Sequence, residues 1–384
     1  MPAPSSVGIV GVGEPGYRPH VDATLPELVH RAARAALDDA GLGREELDNV
    51  VACASDLDDG RAISSMMTAS PGGSYEKDFV KTTGTGIHAV ELGMIRMESG
   101  MFNTTLLISW GKATEADQPN SVPLEGDPFY RRNTGLGYLS GHAMQAAALV
   151  NSNDDAETAA AHLAAHNTEM GEDNPRVEGC EAISVDDVTD SEIRAWPLRN
   201  GHLPADADGA TALVLATEET INEHSLDNDP VWIQGVGRQT ATYDAGNRPF
   251  GKLPTLSTAA QRAYNKANIS DPRTEVEAAE IHGNSAFHEL IALEALDLAE
   301  NNAVDEILGG DMISTNGIAV NRSGGTLAAN PLLGAGLARV AAATRQVRGD
   351  GANGDSVPCA VAHATAGYTD QAHGVAVLGG EQHA

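Results

Sequence analysis

The stretch Asn321-Arg-Ser-Gly-Gly-Thr-Leu-Ala-Ala-Asn330-Pro-Leu-Leu-Gly-Ala-Gly-Leu-Ala-Arg339 decides the fold class. Its glycine spacing describes a tight loop that feeds a helix. Working outward from it, the chain divides into two halves that echo each other. Val7-Gly-Ile-Val-Gly-Val-Gly13 is matched by Val231-Trp-Ile-Gln-Gly-Val-Gly237, each a short apolar segment closed by glycine. A Leu-Pro pair follows in each half, Leu25-Pro26 and Leu253-Pro254. After it comes a helical pattern: Glu27 to Ala40 with apolar Leu28, Ala32, Ala35 and Ala36, and Thr258 to Ala267 with Ala259, Ala260, Ala263 and Ala267. Extended runs come next, Leu47 to Ala54 and Val276 to His282. Strands alternating with helices in both halves predict an α/β architecture with an internal duplication.

Between the echoes the texture changes. Residues 115–203 are rich in Asp, Asn, Gly and Pro, with helical islands at His142 to Val150 and Glu157 to His166. That composition suits an inserted excursion folded over a site rather than a core layer. The apolar strand Asp208 to Ala216 closes the first half, and His373 to Gly379 closes the second. The expected units are 1–114 with 204–228, the insertion 115–203, and 229–384.

Composition narrows the function classes. The chain has 54 acidic and 24 basic residues for a formal net charge of −30, and lysine occurs only at Lys77, Lys81, Lys112, Lys252 and Lys266. Such a surface repels nucleic acid and anionic membranes. It is best tolerated where salt screens it, the Debye length being about 3 Å at 1 M, so the composition reads as that of a salt-accumulating, haloarchaeal-type organism. The apolar runs are too short to cross a bilayer, which takes roughly 20 residues. The start Met-Pro-Ala-Pro-Ser-Ser lacks the basic region of a leader, so a cytoplasmic protein is expected. Cys53, Cys180 and Cys359 have no metal-ligand spacing, which predicts no structural metal; Cys53 and Cys359 sit in apolar runs and read as small buried hydrophobes.

Several segments agree, in order, with one family. Lys81-Thr-Thr-Gly-Thr-Gly-Ile-His-Ala-Val90 is followed by Ser99-Gly100, the strand-like Thr104 to Ser109, Gly111-Lys112, His166-Asn167, Asn174-Pro175, Pro197-Leu-Arg199, Asp208-Gly-Ala and the Asn321 loop. With the duplicated halves, this resembles the thiolase superfamily, in particular the branch of archaeal acetoacetyl-CoA thiolases and sterol-carrier-protein-type thiolases. The resemblance implies a duplicated, five-layered α-β-α-β-α fold with an inserted loop domain. It also implies an acyltransferase that makes or cleaves 3-ketoacyl-CoA through a covalent acyl-enzyme, with coenzyme A thioesters as substrates and no further cofactor. A homodimer or tetramer, a small zinc-ribbon/OB-fold partner subunit and a place in lipid metabolism are expected on the same ground.

The family's reactive groups fall on named positions. The nucleophilic cysteine position, at a helix N-terminus where the dipole favours a thiolate, falls on Thr83, with Thr82 and Thr85 as alternatives within the same run; the run also reads as a helix cap. Asn330 stands where the family's Gly-His-Pro histidine acts as base, and a carboxamide takes up no proton at neutral pH. His282, in Glu280-Ile-His282-Gly-Asn-Ser-Ala-Phe-His-Glu289, matches a histidine of the oxyanion hole; Gly283 replaces its neighbouring aspartate. His363, in Val361-Ala-His363-Ala-Thr-Ala-Gly367, matches the acid/base position of the C-terminal catalytic loop. His288 reads as structural, and His88 as a capping or packing residue. Ser323, Gly324, Gly325 and Gly367 are the expected substrate-binding positions, small enough for a pantetheine arm to approach the backbone. Arg131, Arg132, Arg199 and Arg322 are candidates for the coenzyme A phosphates. Two readings remain open: an acyltransferase with threonine in the cysteine's place, and a catalytically silent thiolase-like subunit that binds acyl-CoA or scaffolds a partner enzyme.

Overall fold

The computed structural model describes residues 6–116, 124, 126–224, 226, 228–300, 302–310, 318–352 and 354–382. The first five residues, on which the leader argument rests, lie outside them.

The first half contributes β1 (Val7–Gly13), α1 (Leu25–Ala40), β2 (Asn49–Cys53), β3 (Asp78–Thr82), α2 (Gly86–Glu98) and β4 (Thr104–Lys112). The insertion carries α3 (Tyr138–Val150), α4 (Ala156–Glu172) and a small hairpin of β5 (Ile193–Ala195) and β6 (Leu198–Arg199), and β7 (Asp208–Thr217) returns to the sheet. The second half supplies β8 (Val231–Thr240), α5 (Pro254–Lys266), β9 (Ala278–Ile281), α6 (Ala286–Ala295), β10 (Ala319–Val320), α7 (Ala335–Arg348), β11 (Cys359–Ala366) and β12 (Ala372–Gly379).

Sheet order reveals the duplication. The first half runs β3-β2-β4-β7-β1 and the second β8-β12-β11-β9-β10, so each strand has a counterpart at the mirrored place. The halves meet edge to edge through two residue pairs, Gly8 with Trp232 and Ile9 with Val231. Three apolar clusters define the layers. One packs α1 on the outer face of the first sheet; another holds α2 and α7 between both sheets; a third packs α5 and α6 on the outer face of the second. The architecture is five-layered, α-β-α-β-α.

Local sequence explains these elements. Thr24 caps α1 by accepting from the Glu27 nitrogen, and Gly41 ends it in the left-handed region, φ 68°. α7 is buried over almost its whole surface, as a helix between two sheets must be. Where α2 and α7 cross, their backbones touch: a Cβ added at Gly86 would lie 2.2 Å from the Leu337 nitrogen.

One expectation needs correction. The insertion does more than lie over a site, because Ala159, Ala160, Ala161, Leu163 and Ala164 of α4 are buried in the outer cluster of the second half. An alanine-rich helix fits close to its neighbours, so a segment whose loops are polar still supplies a core layer.

Candidate active site

The loop Asn321–Gly325 is built to hold two strand ends. Asn321 has φ 46°, and its side-chain oxygen accepts from the Ile281 nitrogen at 2.7 Å, tying the loop to the end of β9. One residue on, the His282 nitrogen donates to the His363 carbonyl at 3.3 Å. Asn330 is pinned through its backbone, donating to the Ala205 carbonyl at 2.7 Å and accepting from the Ala207 nitrogen at 3.1 Å. The turn after it presses on β4: a Cβ at Gly111 would stand 2.0 Å from the Pro331 carbonyl oxygen.

These placements bring His282, Asn330 and Gly367 to one chamber of about 100 Å³, walled also by Asp58, Tyr138, His142, Thr365 and Asp370. Tyr138 and Leu332 are shared with a channel of about 660 Å³ lined by Ala113, Gly135, Gly137, Arg194 and Asp206 among others. Two buried side-chain atoms on the chamber residues, His282 Nδ1 and Asn330 Oδ1, have no hydrogen-bond partner. Burial, with the neighbouring His288 and Arg339 charges, pushes the His282 imidazole down to about 3, so it is neutral at pH 7. Burial pushes Asp58 upward, against a hydrogen bond from Ser55.

Thr83 is not brought there. It is exposed and is not among the residues lining the chamber. Thr82 accepts from the Gly84 nitrogen at 3.3 Å. Thr85 is the cap of α2: its oxygen accepts from the His88 nitrogen, and His88 Nδ1 takes the Thr85 N–H at 3.1 Å. Within the run, the capping reading describes Thr85, and with it His88. Cys53 lies beside this loop, its thiol donating to the Gly84 carbonyl at 3.1 Å, and burial pushes that thiol up to about 12, away from thiolate.

His363 departs from expectation as well. It sits inside β11, not in a loop, and alternation along the strand decides its direction. Ala362 and Ala364 face α2 and α7, whereas Val361 and His363 face α6. Thr85 lies over the α2 face, its oxygen 3.0 Å from where a Cβ on Gly374 would be. Gly374 pairs with Ala364, so His363 and the α2 cap occupy opposite faces of one strand pair. His363 Nε2 is 3.1 Å from His373 Nδ1, its ring is stacked on His288, and burial followed by those imidazoles drives its pKa well down.

The remaining positions resolve similarly. Ser323 donates to Glu280 at 2.6 Å and accepts from Arg339, also at 2.6 Å. Gly324, φ 91°, faces Gly171 of α4 so closely that a Cβ would lie 2.6 Å from the Gly171 Cα. The small size of Gly324 thus serves loop-to-helix packing and that of Gly325 packing against the Asn321 side chain, and Ser323, Gly324 and Gly325 are absent from the chamber and channel walls. A Cβ at Gly283 would fall 2.3 Å from Glu289 Oε1: that carboxyl fills the room in which the family's aspartate would stand. Arg131 pairs with Asp244, Arg199 with Glu157, and Arg132 donates to the Leu124 carbonyl. Arg322 lines a separate small cavity, and the cation that lines the channel is Arg194. Among the described residues no group of His, Cys, Asp and Glu could hold a metal, and no helix is long and apolar enough to cross a membrane.

With this geometry in hand, known proteins give a consistent answer. A family model for a thiolase C-terminal domain-like region matches residues 238–380. An acetyl-CoA acetyltransferase of Methanothermobacter thermautotrophicus is 23% identical over 359 residues, covering 90% of this chain and 91% of that one. These matches support the thiolase superfamily for this chain. Within it, an acetyl-CoA acetyltransferase of Methanocaldococcus jannaschii is 31% identical over 157 residues, 40% of each chain. The fold is shared with a structure titled Ltp2-ChsH2(DUF35) aldolase, at TM-score 0.83 and 21% identity over 99% of both chains. It is shared too with a monomeric SCP2-thiolase-like protein type 1 from Mycobacterium smegmatis, at TM-score 0.75 and 17% identity over 100% of this chain and 79% of that one. The sequence likeness is thus to archaeal acetyl-CoA acetyltransferases, and the two solved structures share the fold.

Three titratable wall residues, His142, Asp58 and Asp370, carry no motif in the sequence. His142 lies in a helix that the sequence indicates, and Tyr138, His142 and Gln145 recur at helical spacing on one face. Asp370 had no visible signal. It and Thr369 take left-handed conformations, φ 57° and 52°, which sequence does not announce for non-glycine residues.

Proposed function

We propose that this chain makes or breaks the carbon–carbon bond next to a coenzyme A thioester, by proton transfer in the His282–Asn330 chamber and without an acyl-enzyme. One observation carries the reading. A neutral buried imidazole and a buried carboxamide, on loops 48 residues apart in sequence (282 to 330), line one chamber that shares Tyr138 and Leu332 with the channel, and each has a buried polar atom without a partner. Buried groups without partners are costly unless a ligand satisfies them. A neutral imidazole N–H suits a developing enolate oxygen, since it donates without needing to lose a charge. The channel, at about 660 Å³, has the size expected of a small-molecule site.

The covalent route, with acyl transfer to Thr83, is the second reading; the resemblance and the acetyl-CoA acetyltransferase relatives favour it. The aldolase title of a fold neighbour is in keeping with the first, and its two-protein complex is in keeping with a partner subunit here, for which the zinc-ribbon/OB-fold type remains our proposal. The test is turnover in molar KCl on acetoacetyl-CoA with coenzyme A and on a 3-hydroxyacyl-CoA, with intact mass recorded during turnover. Carbon–carbon cleavage with no adduct on the protein supports the proposal. An acyl adduct on Thr83 replaces it with the covalent route. Binding without turnover of either substrate makes the chain a non-catalytic subunit.

A further inference from the structure

The chamber contains a base that no family motif marks. His142, on α3 of the insertion, is 2% exposed and forms part of the chamber wall. Its Nδ1 lies 3.0 Å from Gln145 Oε1, and the Gln145 Nε2 donates to Asp370 Oδ2 at 2.9 Å. This chain of contacts fixes the proton. Turning the amide over would set its oxygen against a carboxylate, so Oε1 must face His142, and an amide oxygen only accepts. Nδ1 therefore carries the hydrogen, and Asp370 Oδ2 stands 3.4 Å from the same nitrogen. In the neutral ring the lone pair is then on Nε2, the nitrogen that faces away from both the Gln145 and the Asp370 contacts.

Asp370 is itself held from several elements. Gln145 comes from α3, the Asn284 amide donates from the loop after β9, and His288 Nε2 approaches to 3.7 Å from α6. Burial opposes its ionisation, but the His142, His288 and His373 imidazoles and the Gln145 amide outweigh burial and hold the carboxyl well below the usual range. A buried carboxylate that orients a ring through Nδ1 and steadies the imidazolium formed on Nε2 is the arrangement general bases use. Its left-handed backbone is local strain of the sort found at functional sites.

We propose that His142 is the general base of this chamber, with Asp370 and Gln145 as its positioning residues; the assignment rests on the function proposed above. The step balances without a co-reactant. His142 Nε2 takes a proton from the α-carbon of the thioester, the C–H electron pair moves onto the thioester oxygen as an enolate, and Asp370 offsets the imidazolium charge. When the enolate carbon attacks an acceptor carbonyl, the new alkoxide takes that proton back. Asp58, His282, Tyr138, His288 and Asp370 are the titratable groups facing His142 from the surrounding elements.

The test is incorporation of solvent deuterium into the methyl group of acetyl-CoA, followed by mass spectrometry with the full chain in molar KCl. We expect exchange by the unaltered protein, a fall of about 10²–10⁴-fold in His142→Ala, and partial recovery on adding imidazole. Asp370→Asn should lower the exchange rate and move its pH profile while leaving the KM for acetyl-CoA in place. Exchange that survives His142→Ala overturns this assignment alone. An exchange-inactive His142→Ala protein that melts like the parent but gains nothing from imidazole also overturns it. No exchange by the unaltered chain overturns both the assignment and the reading beneath it.

Discussion

In the first half of the molecule, Cβ atoms added at Gly11 and Gly13 of β1 would each lie 2.1 Å from a carbonyl oxygen of α1, on Ala36 and Ala32. In the second half, Gly235 and Gly237 of β8 meet the Ala263 and Ala259 carbonyls of α5 at 2.2 and 2.0 Å. The scaffold is the same twice over, down to the pair of glycines that lets a helix rest on a strand. The polar furnishing differs. The histidines of the first half, His20, His30, His88 and His224, are exposed or half-buried. Those described in the second half, His282, His288, His363 and His373, are all buried. Duplication thus supplied two equivalent frames, and the buried histidines accumulated behind one. The helix N-terminus that would hold the nucleophile belongs to the other.

The largest expected effect tests this division. His282→Ala should reduce turnover about 10²–10³-fold, the usual loss for an oxyanion donor, while Thr83→Ala leaves kcat essentially unchanged. Steady-state kinetics on one substrate decide it. The opposite ranking would return the chemistry to the first half and restore the covalent route.

A smaller effect tests the equivalence of the frames. Gly11→Ala and Gly235→Ala each force a methyl into a helix carbonyl, so each should cost about 1–3 kcal/mol as overpacking does. Thermal melts in molar KCl, and urea titrations where melting is irreversible, would show it. If one half tolerates its alanine and the other does not, the matching glycines are not matched in load.

These experiments probe features of unequal legibility. The duplication could be read because glycine-closed strands and Leu-Pro helix starts recur, and the observed α1 and α5 begin at Leu25 and Pro254. His282, Asn330 and Gly367 could be placed because each follows a strand or closes the signature loop, where sites form. His363 was misdirected by reading Val361–Gly367 as a loop. Its alternation with alanines is a strand signal, and strand parity is what turned it away from α2. Thr83 carried a motif position but not its surroundings: exposure is a tertiary property. Asp370 depended on two backbone conformations that residue type disfavours.

Glu289 sharpens the comparison one step further, because the second half bears titration costs that oppose each other. Burial pushes the Glu289 carboxyl up to about 8, against a hydrogen bond from Asn167, while His282 and His373 are pushed down to about 3 by burial and neighbouring His288. The two histidines bind fewer protons folded than unfolded between pH 3 and 6.5, so stability rises with pH across that window. Glu289 binds more when folded between pH 4.5 and 8, so its contribution is complete below 4.5 and is lost as pH climbs through 8. Above 6.5 the two histidines no longer contribute, and one Glu289 proton over the interval from 6.5 to 8 amounts to about 2 kcal/mol at most. Stability measured by urea titration should therefore peak near pH 6.5 and decline towards 8. In Glu289→Gln, an uncharged isostere, the alkaline decline should vanish while the acid side keeps its slope. A decline that persists in that variant would assign the loss to another group and leave the carboxyl beside Gly283 as packing alone.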